Sequence, residues 1–418
     1  MGTLLVMGGT PENQQGFVAR HLSRRTSGRQ LIPEIDGLRS VAIVSVVLFH
    51  AAWTFRDNLS LNIGEFGGSA TSMLDQILFT GSYGVPVFFV ISGFILALPF
   101  AESKNGGKPV SLGKYLKRRV TRLEPPFFAA LLVAFAVIAL QTGSLDKLPN
   151  LLASLGYVHS IVYGGNSEVL PVAWSLEVEV QFYLLMPLLA LIYVVKNTML
   201  RRTALVAGIL GFSIVFGREV PIWGLTVVHQ MGYFMAGMLL ADLYRTGAFG
   251  LGSEFDTSNK SARLLAWDAL GAACLLGTFA VKGLGIFPAQ TSPWLILVGF
   301  IAVFRGGLVR RFFRWSPVVI LGGMCYSIYL WHFFVMRAAW PAWEKIVSPQ
   351  PVLLDFVLFI IVASVGTVAV STLMFVLIER PTMDSQWPRK LGRAMGAAWD
   401  ALALHGRRAK RSAASGVS

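Results

Sequence analysis

Residues 32–51 read IPEIDGLRSVAIVSVVLFHA. From Leu38 the stretch is almost wholly apolar, and the run continues to about residue 55. A helix needs roughly 20 consecutive apolar residues to cross the hydrocarbon core of a bilayer, so this is a membrane span. Two side chains interrupt it. Arg39 stands at its start and His50 follows eleven positions later. Eleven residues make about three turns, which puts both side chains on one helix face roughly 16 Å apart along the axis. Arg39 alone reads equally as a residue snorkelling to the interface. His50 alone reads as a buried histidine bonded to a neighbouring helix. An aqueous shaft joining the two would account for both.

Nine more apolar segments follow, at about 76–99, 124–142, 172–195, 203–217, 222–243, 264–282, 292–308, 318–337 and 353–379. Of the 418 residues, 54% are hydrophobic and only 14% charged. A soluble domain carries about 25% charge, so too few charges are present to cover a globular surface in water. That excludes a soluble enzyme, a disordered chain and a disulfide-stapled secreted domain. The expected fold class is all-α: a polytopic membrane helix bundle of about ten transmembrane helices. The stretch 151–165, LLASLGYVHSIVYGG, is apolar but broken by polar residues and glycines. It reads as a short interfacial or re-entrant segment on the outer side.

Charge sets the orientation. With the N-terminus inside, only Arg56, Lys147, Arg218, Lys282, Arg337 and Lys345 of the 36 lysines and arginines fall outside, which predicts that both termini are cytoplasmic. The same bias accounts for the net charge of +14 without a nucleic-acid partner. The expected partner surface is the lipid bilayer. Residues 1–30 read as a mobile cytoplasmic arm, 31–382 as the membrane domain and 383–418 as a basic cytoplasmic tail, either solvated or lying as a short helix on the anionic inner leaflet. Leu4 to Met7 is too short for a signal-peptide core, so the first span is expected to act as an uncleaved anchor. Cys274 and Cys325 lie in apolar runs and read as small buried hydrophobes. They set no metal-ligand spacing, and no metal is expected.

A charge in the middle of a span is costly, so each one marks a functional hypothesis. Ser92-Gly93, inside FFVISGF, reads as a close-packing point between helices. In RRVTRLEPP, Arg119 and Arg122 are three apart and share a helix face. Paired planar guanidinium groups suit phosphate, although position alone also reads as ordinary flanking charge. In WSLEVEVQFY, Glu177 and Glu179 point to nearly opposite faces, so they are not a paired acid/base dyad. Tyr183 shares the face of Glu179. CYSIYLWH adds hydroxyls, aromatics and a second intramembrane histidine, His332. Glu379 and Arg380 read as anchors at the inner interface and Pro381 as a helix stop.

Taken in order, IPEIDGLRSVAIVSVVLFHA, GVPVFFVISGFIL, RRVTRLEPPFF, WSLEVEVQFYLL, YSIYLWH and IERP resemble membrane acyltransferase family 3, from about residue 32 to 382. These are bacterial multi-pass enzymes that O-acylate surface polysaccharides, lipid-linked sugars and some antibiotics. The resemblance implies transfer of an acyl group from cytoplasmic acyl-CoA, with acetyl-CoA the expected donor, to a hydroxyl of a surface or lipid-linked glycan. It also implies a bacterial plasma (inner) membrane location. It assigns catalytic roles to His50, Arg39 and Glu179 and donor binding to Arg119 and Arg122. Trp174, Ser175, Tyr183, Tyr329 and His332, from the same blocks, are the candidate substrate-binding residues. Pro86 and Val180 stand where the family often has acidic residues, and Cys325 where serine is common. Some family members continue into a soluble esterase-like domain, which is not expected in the short stretch that follows the tenth span here.

The chemistry agrees with that assignment. A hydroxyl attacking a thioester has to lose a proton, and a neutral histidine is suited to take it near neutral pH. At 16 Å, Arg39 is too far from His50 to hold the oxyanion directly, so it is expected to bind or gate the donor. The rival readings are a proton-coupled transporter, the same fold acylating a small molecule such as a macrolide, and succinyl in place of acetyl.

Overall fold

The computed structural model describes residues 22–24, 31–60, 68–104, 107–216, 225–251, 261–284, 288–346, 352–384, 386–390 and 392–393. Within them every regular element is a helix. In chain order these are α1 Pro33–Asn58, α2 Gly68–Phe79, α3 Gly84–Lys104, α4 Leu112–Thr142, α5 Leu148–Leu155, α6 His159–Tyr163, α7 Trp174–Leu189 and α8 Thr198–Phe216. Then follow α9 Val227–Arg245, α10 Ser261–Leu284, α11 Ser292–Arg305, α12 Leu308–Phe313, α13 Ser316–Gly323, α14 Cys325–Trp343 and α15 Val352–Met374. A π-helical turn, Phe375–Glu379, continues α15.

Among the described residues, seven helices are long and apolar enough to cross a membrane, and eight if the bent pair α13–α14 is one span. Three of the ten expected spans do not stand among these seven as single long apolar helices, each for a physical reason. The segment placed at 292–308 forms a helix of 14 residues, about 21 Å long against a hydrocarbon core of about 30 Å. In the segment placed at 222–243 the described helix runs from Val227 and carries His229, Gln230 and Asp242. The segment placed at 318–337 is broken at Met324, where α13 and α14 meet at 69°. The stretch 151–165 forms the end of α5 and the single turn of α6, too short to cross. Most of the terminal arm and tail lies outside the described residues.

Apolar faces point both inward and outward, as a bilayer requires. Leu184 and Leu188, one turn apart on α7, are 66% and 64% exposed. Inside, α1, α3, α7, α9 and α11 gather around the fully buried Phe94, Phe182, Phe234 and Phe300. Phe182 stacks on Phe234 with ring centroids 4.0 Å apart. Helices α3 and α9 touch backbone to backbone. A Cβ on Gly93 would collide with the carbonyl of Phe234, and one on Gly237 with that of Val90. Small residues are what allow such an approach where packing, not water, drives helix association. A second cluster joins α1, α14 and α15 through Phe55, Trp340, Phe356 and Phe359. This arrangement brings α1, α3, α4, α7, α14 and the end of α15 around a common polar space.

Candidate active site

That space is a cavity of about 110 Å³. Its charged lining comes from four elements and from the residues ahead of α1: Arg24, Arg39 on α1, Arg119 and Arg122 on α4, Glu179 on α7, and Glu379 at the π-helical turn. Asp36 lies behind it, accepting from Arg24 at 3.0 Å and from Arg39 at 2.5 Å. Four guanidinium groups thus face three carboxylates, an excess of positive charge in a confined volume. Burial, then the Arg122 and Arg39 charges, push the Arg24 guanidinium below its ordinary value while Asp36 opposes them. Arg24 belongs to the arm expected to be mobile, yet here it is tied to α1 by Asp36.

The bend between α13 and α14 places the first turn of α14 at this cavity, with Gly323, Cys325 and Tyr326 in its wall. Glu379 answers that helix start. Its Oε2 accepts from the Ser327 backbone N–H at 2.9 Å and from Ser327 Oγ at 2.6 Å. The π-helical turn, an inserted residue of the kind that recurs at functional sites, brings Glu379 to full burial. Glu379 was expected as an interface anchor, and is instead a wall of the cavity. On the opposite wall Ser92 Oγ donates to Glu179 Oε1 at 2.5 Å. The packing role expected of Ser92-Gly93 is therefore split: Gly93 packs against α9, and Ser92 holds the carboxylate. Arg119 lies over the ring of Tyr183, 5.6 Å from its centroid.

Of the residues expected at the site, Arg39, Arg119, Arg122, Ser175, Glu179, Tyr183 and Tyr329 line this one cavity. Ser175 Oγ donates to the Tyr329 hydroxyl at 3.2 Å, and Tyr329 donates in turn to the Val172 carbonyl. Glu177 turns away, as its opposite face requires, and accepts from the Ser160 N–H at the start of α6. Three expected residues are elsewhere. Trp174 lines a second cavity, described below. His50 and His332 stand just beyond the first cavity, which reaches along α1 from Arg39 to Val46 and so stops one turn short of His50.

His50 and His332 form a pair that local spacing could not reveal. His332 Nδ1 lies 2.7 Å from the Tyr329 carbonyl and 3.1 Å from that of Ile328. A nitrogen facing two carbonyls carries the proton, which leaves His332 Nε2 as an acceptor. That nitrogen is 3.2 Å from His50 Nδ1, which also lies 2.9 Å from the Val46 carbonyl. His50 Nδ1 is then the donor to both, and the lone pair of His50 falls on Nε2, outside these bonds. His332 is fully buried. Expected among the substrate-binding residues, it makes its side-chain contact here with the His50 ring.

Residues 32–376 match the family model described as an acyltransferase domain. Three curated relatives are each 25% identical to the chain. They are the O-acetyltransferase OatA of Staphylococcus aureus, the peptidoglycan O-acetyltransferase OatA of Listeria monocytogenes and the putative peptidoglycan O-acetyltransferase YrhL of Bacillus subtilis. The alignments cover 75%, 84% and 85% of this chain and 52%, 56% and 56% of the relatives. The chain thus spans about half the length of the curated relatives it matches. No solved structure matches it. With the domain matched over most of its length, the chain belongs to acyltransferase family 3.

Proposed function

We propose that the protein moves an acetyl group from cytoplasmic acetyl-CoA to a hydroxyl of a glycan on the outer side of the plasma membrane. The observation that carries this reading is the continuity of two chemistries along α1. An arginine-rich cavity begins at Arg39 and ends at the turn before the His50–His332 pair. Multiple guanidinium groups match the phosphates of a coenzyme A donor. On this reading the donor's phosphates meet the arginines of the cavity and its flexible arm carries the thioester along α1 towards His50. Both termini lie inside, in keeping with the positive charge of the inner loops. Residues 31–382 are the membrane domain between a cytoplasmic arm and a basic tail. Acetyl as the group and peptidoglycan-like glycan as the acceptor take their support from the relatives' names.

The step then reads as follows. The acceptor hydroxyl gives its proton to His50 Nε2 as its oxygen forms the new ester bond to the acyl carbon. The carbon–sulfur bond breaks, and the coenzyme A thiolate leaves and takes up a proton. Mass spectrometry of cell-surface glycans from a gene-deleted strain tests the reading. An acetyl increment should vanish on deletion and return with the wild-type gene. If no glycan changes while a solute's uptake or export fails, a transporter takes the place of the enzyme.

The donor assignment has its own test. Arg119→Ala combined with Arg122→Ala removes two cations from the cavity wall. Hydrogen bonds to charged groups are worth about 1.5–3 kcal/mol each, so KM for acetyl-CoA should rise at least roughly tenfold while KM for the acceptor stays near wild type. An unchanged donor KM would remove these arginines from the donor site.

A further inference from the structure

The second cavity, about 450 Å³, lies between the N-terminal ends of α3, α7, α9 and α11 and the C-terminal part of α8. Its volume falls within the roughly 300–1,000 Å³ range of small-molecule pockets. Its wall differs in kind from that of the first cavity. It carries the rings of Tyr83, Trp174 and Tyr233, together with the polar side chains of Ser82, Ser213, His229, Gln230 and Gln290, and among the described residues no Asp, Glu, Lys or Arg. Two of these polar groups, Ser213 Oγ and His229 Nδ1, have no hydrogen-bond partner although their atoms are buried. Ser213 as a residue is 8% exposed. A buried polar atom left unpaired costs free energy, and a ligand that supplies the missing partner recovers it.

We propose that this cavity is the acceptor subsite and that its ligand is a neutral, polyhydroxylated sugar. The proposal rests on the acetyl-transfer reading given above. A charged ligand would enter an uncharged, partly apolar pocket without a counter-ion, at a desolvation cost. An apolar ligand would leave Ser213 and His229 unpaired. A pyranose meets both demands, because its C–H face lies against an aromatic ring while its hydroxyls donate to and accept from the polar groups.

The two cavities are stacked along α3. Val85 lines both of them. The neighbours Trp174 and Ser175, at the start of α7, face one cavity each. Phe89, in the wall of the inner cavity, meets Trp174 edge to face at 6.2 Å between centroids. Val85, Phe89 and Trp174 therefore form the partition, and a sugar held against Trp174 presents a hydroxyl to the side where Ser175 and Tyr329 stand. This gives Trp174 a role distinct from that of Ser175, although the two are adjacent in sequence.

The test uses the full-length protein in lipid nanodiscs, acetyl-CoA as donor and a neutral β-1,4-linked N-acetylglucosamine tetrasaccharide as acceptor. Wild type should acetylate the tetrasaccharide. Trp174→Ala and His229→Ala should each raise KM for the sugar roughly tenfold, with KM for acetyl-CoA unchanged. Trp174→Phe keeps a ring and should recover most of the loss, and confinement of the Trp174→Ala defect to the sugar KM at unchanged thermal stability is what a merely structural role would not give. Size-exclusion profiles separate lost binding from lost folding, and Ser213→Leu, which fills the cavity from a different helix, should reproduce the sugar defect. Sugar KM values at wild-type level in folded Trp174→Ala, His229→Ala and Ser213→Leu proteins would overturn the subsite alone. Failure of wild type to transfer acetyl to the tetrasaccharide, while it still releases coenzyme A with another class of acceptor, would overturn the carbohydrate reading itself.

Discussion

His50→Ala should lower acetyl transfer by about 10²- to 10⁴-fold, the range contributed by a positioned general base. The prediction follows from which nitrogen is available. His50 Nδ1 is committed to the Val46 carbonyl and to His332 Nε2, so only Nε2 can accept a proton from an incoming hydroxyl. His50→Gln is the sharper variant, since it retains a polar side chain of similar reach but cannot act as a base near neutral pH. It should be as inactive as His50→Ala while keeping wild-type membrane insertion and a monodisperse profile in detergent. Initial rates of coenzyme A release, read with a thiol reagent at saturating acetyl-CoA and acceptor, measure the effect. Either variant turning over at the wild-type rate in a folded, inserted protein would sink the base role and with it the polarity of the proposed step.

Much of this site is legible in the sequence because lipid makes polar residues conspicuous. Arg39, Arg119, Arg122 and Glu179 stand out as charges at or inside apolar runs, and all four line one cavity. Helix periodicity correctly separates Glu177 from Glu179, and the structure sends them to Ser160 and Ser92 respectively. What the sequence hides is whatever depends on a break in helical geometry or on partners far apart in the chain. A single apolar run from 318 to 337 gives no sign of the 69° bend at Met324, and without that bend Ser327 would not be placed to meet Glu379. The π-helical turn shifts Glu379 off the regular 3.6-residue pattern, so counting along α15 misplaces it. Arg24 is hidden for another reason, because it belongs to a polar stretch with no periodicity to read. In the same way Trp387, in the tail, donates its indole N–H to the Thr121 carbonyl on α4, a contact that no property of the basic tail announces.

The separation of charge between the two cavities also bears on how such a protein can join a polar donor to a polar acceptor across a bilayer. Its cations, Arg39 early on α1 and Arg119 and Arg122 two to three turns into α4, are concentrated at the first cavity, and none of the described residues lining the second is charged. Neither ligand then has to cross the core whole. On the proposed reading the thioester arm would cover one part of the distance and the sugar hydroxyl the other, the two meeting at the narrow partition of Val85, Phe89 and Trp174. A partition of this kind also limits leakage of ions and of water, which would otherwise compete with the sugar for the acyl group.

His332 should prove to be a positioning residue whose loss falls on kcat. Its Nδ1 is held by the Tyr329 and Ile328 carbonyls, which turns its Nε2 lone pair toward His50 and fixes the tautomer of the His50 ring. The arrangement does for His50 what a carboxylate does for the base histidine of a hydrolase triad, but without introducing a charge into the membrane. His332→Phe fills a similar volume in a fully buried position and removes the acceptor. We expect it to lower kcat by roughly 10- to 100-fold, with KM for acetyl-CoA and for the acceptor within about twofold of wild type, since a lost orienting bond is worth about 1–3 kcal/mol. His332→Gln, whose amide oxygen can accept from His50 Nδ1, should recover part of the rate. That order, with Gln above Phe at equal thermal stability, is what distinguishes an acceptor for His50 from a plug in the core. If Phe and Gln variants are equally active, or if the loss appears in KM instead of kcat, the histidine pair is packing and His50 must be oriented by Val46 alone.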